Sequence, residues 1–196
     1  LTLQNLVRDI IELEKLRSGD VELTEMGLVE TAVSVIEERR DTIQERNIDF
    51  QVDLPDREPV IRGHPVGMKL VIENLLENAV KYSHPGGAVR FRMWYDEKNG
   101  RATVLVEDEG IGIPEKEQEL VFREFYRSRN AKRFDPTGTG FGMAIVKQVV
   151  DFCGGELDLK SRENEGTRVS LFLPLAGVRD RETAELVAEQ YCEVVA

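Results

Sequence analysis

Histidine and cysteine are both scarce in this sequence. His64 and His84 are the only imidazoles, and Cys153 and Cys192 the only thiols. Two thiols far apart in sequence form no CxxC pair and no disulfide framework, which makes a reducing, cytosolic setting the default. With so few Cys and His, a zinc site of the Cys/His type is not expected. No apolar run approaches the roughly 20 residues of a membrane span, and no signal peptide is visible. Positive charge is in deficit: 26 Lys and Arg stand against 37 Asp and Glu, a net charge of −11. That balance argues against a nucleic-acid binder, because phosphate backbones call for clustered Lys and Arg. The acidic residues are scattered, as on a solvated surface.

What is present describes a globular protein. Its 196 residues, 41% hydrophobic and 32% charged, suffice for one core of ordinary size with an attached element. The chain opens at Leu1, without Met and inside an amphipathic pattern, so the expectation is a piece of a longer protein. Leu3, Leu6, Ile10, Leu13 and Leu16 alternate at steps of three and four, a heptad-like stripe that needs a partner helix. The pattern then predicts a strand over 21–24, a helix over 27–45 and strands over 48–52 and 60–63. A long helix from His64 or Pro65 to Tyr82 follows, its apolar face made of Met68, Val71, Ile72, Leu75, Leu76 and Ala79. Strands are predicted over 89–95 and 102–107, joined at Asn99-Gly100. Next come a short helix over 119–126, a polar, basic loop over 127–139 and a helix over 141–153. A hairpin over 156–161 and 167–173 and a last helix over 180–194 complete the pattern. Helices interleaved with mostly antiparallel strands favour a two-layer α/β sandwich over a doubly wound parallel sheet. The expected divisions are 1–18, 19–176 and 177–196.

Three stretches carry chemistry. At roughly 100° per residue, Asn74, Asn78, Lys81 and Tyr82 share one flank of the long helix, and Glu73 and Glu77 are expected to point to solvent. A neutral amide oxygen can ligate Mg²⁺, and a lysine one turn on can meet a phosphate. Asp108-Glu109-Gly110-Ile111-Gly112-Ile113-Pro114 follows a strand directly. A carboxylate at a strand end can accept a hydrogen bond from an exocyclic amine such as adenine N6, and glycines let a base approach the backbone. Thr137-Gly138-Thr139-Gly140-Phe141-Gly142 opens a helix and leaves N–H groups free for an anion. Read singly, each stretch is equally an ordinary surface stripe or a tight turn. Walker A, Rossmann and protein-kinase signatures are absent.

The order of the stretches is more specific than any one of them. Glu73 to Ser83, Asp108 to Pro114, Phe122 to Arg127, Gly138 to Lys147 and Gly166-Thr167 closely resemble the N, G1, F, G2 and G3 boxes of sensor histidine kinases. These belong to the wider gyrase, Hsp90, histidine kinase and MutL ATPase superfamily. The likeness covers about residues 20–175 and implies a Bergerat-type fold: a mixed, mostly antiparallel sheet on about three helices, holding ATP and Mg²⁺ under a flexible lid. By position, Asn78 would bind the metal and Asn74 would help at the metal or phosphates. Lys81 and Tyr82 would approach the phosphates or ribose, and Asn74 and Lys81 would serve catalysis. Asp108 would hold the adenine, with Gly110, Gly112 and Ile113 near the base and Thr167 behind it. Tyr126 and Arg127 would border the nucleotide. Gly138, Thr139, Gly140, Phe141, Gly142 and Met143 would form the hinge at the phosphates. Phe141 and Met143 stand where leucines are common.

Residues 1–17 resemble the end of the second dimerisation helix. The implied partners are a dimerisation domain carrying the phosphoacceptor, a response regulator and a second copy of the kinase joined through upstream helices, with no nucleic acid. The implied setting is cytoplasmic, whether or not the parent is a membrane sensor. One element of the family is missing. His64 precedes Pro65 at a helix start and His84 precedes Pro85 in a turn, and neither has the acidic neighbour of a phosphoacceptor. The expected activity is donation of the γ-phosphoryl to a histidine outside this chain. An ATPase clamp and a non-catalytic nucleotide sensor are the alternatives. The clamp relatives place a Glu one turn before the metal Asn, and here that position is Asn74.

Overall fold

The computed structural model describes residues 21–180, together with Val7, Ile10, Ile11, Glu14, Lys15 and Ser18, which are helical and exposed. Of the heptad stripe only Ile10 is among them, and the predicted helix over 180–194 lies, apart from Asp180, outside the described residues. The fold is an α/β sandwich. One seven-stranded sheet has the order β1-β3-β7-β5-β4-β2, with β6 also pairing β7. The strands are β1 (Thr24–Gly27), β2 (Asp49–Asp53), β3 (Glu58–Gly63), β4 (Ala88–Asp96), β5 (Arg101–Asp108), β6 (Glu156–Arg162) and β7 (Gly166–Arg179). Only β2 and β4 run parallel; the other pairings are antiparallel. The helices are α1 (Leu28–Glu45), α2 (Pro65–Tyr82), α3 (Arg129–Phe134) and α4 (Gly142–Phe152). The inward sides of α1, α2 and α4 join Phe91, Val104, Leu171 and Leu173 of the sheet in one core.

Helix α2 forms where its sequence signals place it. The His64 side chain at the N-cap accepts a hydrogen bond from Gly67 N at 3.2 Å through Nδ1, and Pro65 sits in the first turn, where its missing N–H costs nothing. Met68, Val71, Ile72, Leu75, Leu76 and Ala79 are all buried. The helix ends at Ser83, whose hydroxyl donates to Ala79 O at 2.7 Å. The two histidine-proline pairs therefore punctuate structure.

Helix α1 is capped from a distance. Its N-cap is Gly27, which has no side chain to offer. The fully buried Glu58 of β3 accepts from Val29 N at 2.7 Å and Glu30 N at 3.1 Å. A Cβ on Gly27 would lie 2.7 Å from the Glu58 carboxyl carbon, so the glycine makes room for the cap. Burial pushes the Glu58 pKa up, while the two amides and Arg179 pull it back.

Four elements differ from the pattern. β1 lies at Thr24–Gly27 rather than 21–24, because pairing with Val60–Gly63 sets its position, not the alternation of its own residues. The segment predicted as a helix over 119–126 holds one 3₁₀ turn, Leu120–Phe122, and a second, Glu115–Glu117, comes just before it. Within the loop predicted over 127–139 stands α3. It has no apolar period and exists through end contacts: Ser128 Oγ accepts from Ala131 N at 3.4 Å, and Arg127 Nη2 donates to the Ala131 and Asp135 carbonyls. β7 also runs to Arg179, beyond the predicted Leu173, because Leu175 to Arg179 pair with β3.

Candidate nucleotide site

A cleft with about 1350 Å³ of empty space, open to solvent, lies between α2, the end of β5, the loop after it and the segment from Tyr126 to Met143. Helix α2 contributes Asn74, Asn78, Lys81 and Tyr82 to the wall. Asp108, Gly112 and Ile113 come from the strand end and its loop, and Thr167 from β7. Tyr126, Arg127, Gly138, Thr139, Gly140, Gly142 and Met143 complete the predicted set. Gly110 and Phe141 stand behind this lining. Phe141 is 4% exposed, with the Phe125 ring edge-on to it at 4.8 Å.

Asp108 is the floor of the cleft. It ends β5 opposite Thr167. Its Oδ1 is buried with no hydrogen-bond partner among the described residues. Burial drives its pKa up to about 7, against smaller opposing contributions from the Thr167 and Gly110 amides. A buried carboxylate oxygen without a donor is costly, and it marks a place where a ligand's N–H would be stabilising.

The glycines beside it permit close backbone contacts. A Cβ on Gly110 would fall 2.2 Å from Tyr82 O, and one on Gly112, whose φ is +58°, would fall 1.9 Å from Arg162 O. The loop is braced from β6. Ile113 N donates to Ser161 Oγ at 2.7 Å, and Gln118 Nε2 bridges Ile113 O and Ser161 O at 3.2 and 2.7 Å. Ser161 Oγ also lies 2.9 Å from Thr167 Oγ1, tying the loop to the strand behind it.

The opposite end of the cleft is polar. Asn74 Nδ2 donates to Leu70 O at 2.8 Å within α2, which turns its Oδ1 towards Gly142 at the start of α4. A Cβ on Gly142 would lie 2.3 Å from that oxygen. Asn78 is half-buried, and its amide has no hydrogen-bond partner among the described residues. Its neutral oxygen is the kind of donor a hard cation such as Mg²⁺ accepts. Lys81 forms an ion pair with Asp135. Gly138 packs where a Cβ would meet the Arg127 guanidinium at 2.9 Å. Tyr126 donates through its hydroxyl to Glu117 at 3.1 Å. Glu117 also takes the Arg129 amide at 2.9 Å and guanidinium at 2.7 Å, and this last bond chiefly lowers its pKa.

The structure corrects one expectation. Glu73 does not point to solvent: it is only 9% exposed and lines the cleft together with Arg39 and Glu77. The helical wheel placed it correctly relative to Asn74, but α1 packs against α2, and its Arg39 pairs with Glu77 one turn on. Arg39, Ser161, Gln118 and Asn130 are members or braces of the site that the motifs did not reveal. Asn130 Nδ2 reaches from α3 to Ile111 O at 3.1 Å and Gly112 O at 2.7 Å. Their side chains meet the cleft only through tertiary packing, so no local spacing could have identified them.

A family model described as histidine kinase-, DNA gyrase B-, and HSP90-like ATPase matches residues 63–177, a span that holds every site residue the motifs predicted. The chain belongs to this family. It is similar to the sensor histidine kinase WalK of Bacillus subtilis, 35% identical over 170 residues that cover 86% of this chain and 28% of that protein. It is also similar to the signal transduction histidine-protein kinase/phosphatase MprB of a Mycobacterium species, 36% identical over 155 residues, 79% of this chain and 29% of that protein. The chain thus spans less than a third of the length of these relatives. Among solved structures, a mycobacterial sensor histidine kinase MprB superposes with a TM-score of 0.67 at 32% identity, covering 78% of this chain and 97% of that one. The catalytic domain of histidine kinase ThkA gives 0.66 at 26% identity, covering 79% and 96%. Full-length ShkA, solved in complex with AMPPNP, shares the fold with a TM-score of 0.75 at 22% identity, covering 90% and 36%. No helix among the described residues is long and apolar enough to cross a membrane.

Proposed function

We propose that the cleft binds Mg-ATP and donates the γ-phosphoryl group to a histidine on a dimerisation domain, as the catalytic part of a two-component histidine kinase. The observation that carries this reading is Asp108: a buried carboxylate oxygen without a partner, in a cleft also lined by Asn74, Asn78 and Lys81. An adenine N6 amine would supply the missing donor. Thr167 would lie behind the ring, and Gly112 and Ile113 would pack near it. Asn78 would hold Mg²⁺, and Asn74 would help at the metal or phosphates. Lys81 and Arg127 would meet phosphate oxygens, Tyr82 and Tyr126 would border the sugar and phosphates, and the segment Gly138 to Met143 would offer backbone N–H groups.

When bound, Mg²⁺ would offset charge on the phosphates. The chain's own groups would hold the chain of phosphates in line and exclude water. In the transfer itself, the bond from the γ-phosphorus to the β,γ-bridging oxygen breaks, a bond to an imidazole nitrogen forms, and ADP leaves. Catalysis of this kind is mostly positioning and charge neutralisation. Kinase activity of the relatives supports the reading, and a dimerisation domain and a response regulator are the partners it calls for.

The base reading has a direct test. Guanine presents an oxygen where adenine presents N6, so titration calorimetry should show Mg-ATP binding at least tenfold more tightly than Mg-GTP. Equal affinities would remove Asp108 from the base pocket.

Burial of Glu73 in the cleft wall favours one second reading, hydrolysis of ATP by a clamp-like ATPase. Phosphate release without any acceptor, lost in Glu73→Gln, would support that reading. Release that stays at background in both proteins would exclude it.

A further inference from the structure

The segment after α3 places a carboxylate where the proposed reading needs a phosphate. Asp135 follows α3 directly, and its Oδ2 pairs with Lys81 Nζ. Their side chains are 19% and 15% exposed, so the pair is shielded more than an ordinary surface salt bridge. The carboxylate is held by more than the lysine. Its Oδ1 accepts from Thr137 N at 2.8 Å and from Thr137 Oγ1 at 2.6 Å, across the fixed turn at Pro136. These donors keep Asp135 ionised, Lys81 foremost, well below the usual carboxylate range. A second cation of the cleft, Arg127, is engaged by the same corner. Arg127 donates through Nη2 to the backbone carbonyl of Asp135 and to Ala131 O at 3.2 Å. Beside the ion pair, the Phe134 ring tilts onto Tyr82 with centroids 6.0 Å apart.

We propose that Asp135 is an affinity-determining residue: its carboxylate occupies Lys81 and must be displaced by a nucleotide phosphate. The inference rests on the reading of the cleft as an ATP site with Lys81 at the phosphates. Both the carboxylate and a phosphate oxygen satisfy the same ammonium group, and only one can do so at full strength. The latched state therefore lowers the apparent affinity by the fraction of molecules whose lysine is free. Adenosine has no phosphate and gains nothing from releasing the latch. Asp135 thus tunes how strongly the cleft prefers a phosphorylated nucleotide over the bare nucleoside.

Isothermal titration calorimetry of the full chain with Mg-ATP and with adenosine tests this. Asp135→Asn removes the charge and keeps the size, and the Arg127 contact to the backbone is unaffected. The expected result is a roughly 10-fold tighter Mg-ATP dissociation constant, about 1.4 kcal/mol, with adenosine affinity unchanged. Asp135→Ser repeats the test if the amide variant does not fold. In a Lys81→Met background the same substitution should have no effect, because the competition has lost its object. Affinity for Mg-ATP that is unchanged or weaker in Asp135→Asn, while wild-type binding remains dependent on Asp108, would overturn the inference alone. Absence of Mg-ATP binding, or binding indifferent to Asp108→Asn, would sink the nucleotide reading and this inference with it.

Discussion

Replacing Asp108 by Asn should cost the protein its ligand and stabilise its empty form, with a pH dependence that identifies the cause. In the folded chain the carboxyl pKa rises from 3.8 to about 7, chiefly through burial. Below about pH 4 both the folded and unfolded chains carry the neutral acid, and the residue contributes no pH dependence. Between about 4 and 7 the unfolded chain releases its proton first, so stability falls as pH rises. Above about 7 the full penalty applies. A shift of this size corresponds to roughly 4 kcal/mol as an upper figure. Asn carries no charge and escapes it, although its buried amide nitrogen needs an acceptor and loses a pH-independent ~1–3 kcal/mol without one. The signature is therefore the difference between two pH values. Urea unfolding at pH 4.5 and pH 8 should show the variant gaining on the wild type by about 2–4 kcal/mol across that interval. In parallel, Mg-ATP affinity should be lost at both. An identical stability difference at both pH values would refute the assignment of a buried, ionisable floor to the cleft.

Other consequences are as specific. Mg-ATP binding near pH 7 should release part of a proton, because a donor on the Asp108 carboxylate favours its ionised form; calorimetry in buffers of different ionisation enthalpy measures it, and zero release would count against the contact. Glu58→Ala leaves the Val29 and Glu30 amides without their acceptor and should cost about 1–3 kcal/mol in urea unfolding, whereas Glu58→Gln should recover part of that loss. Gly112→Ala puts a methyl on Arg162 O and strains a left-handed position, so its melting temperature should fall by several degrees. Asn130→Ala should leave global stability within about 1 kcal/mol and speed proteolysis within 126–140, since α3 loses its tie to the loop after β5.

The sequence showed the core helices well because their signals are local. Met68 to Ala79 form a period, and His64-Pro65 marks a beginning that the structure keeps. Most motif residues from Asn74 to Thr167 line one cleft, and those on α2, the end of β5, β7 and the start of α4 are carried by elements the pattern had placed. Where the pattern failed, contacts from outside each element decide the structure. The pairing of β1 depends on Val60 to Gly63, α3 depends on caps from Ser128 and Arg127, and the start of α1 depends on Glu58 in a strand thirty residues away. Glu73 was misread for the same reason. A wheel gives its angle around α2, but only the packing of α1 shows what covers that angle. Asp135 carried no signal at all in a stretch that read as polar loop, yet it holds the lysine on which the phosphate reading turns.

The central claim is phosphoryl donation, and one measurement addresses it most directly. Incubation of this chain with γ-labelled Mg-ATP and a separate histidine-bearing dimerisation domain should place acid-labile, base-stable label on that domain, and Asn78→Ala or Asp108→Asn should abolish it. Label that never leaves ATP except as free phosphate, with the acceptor domain unlabelled, would contradict the account.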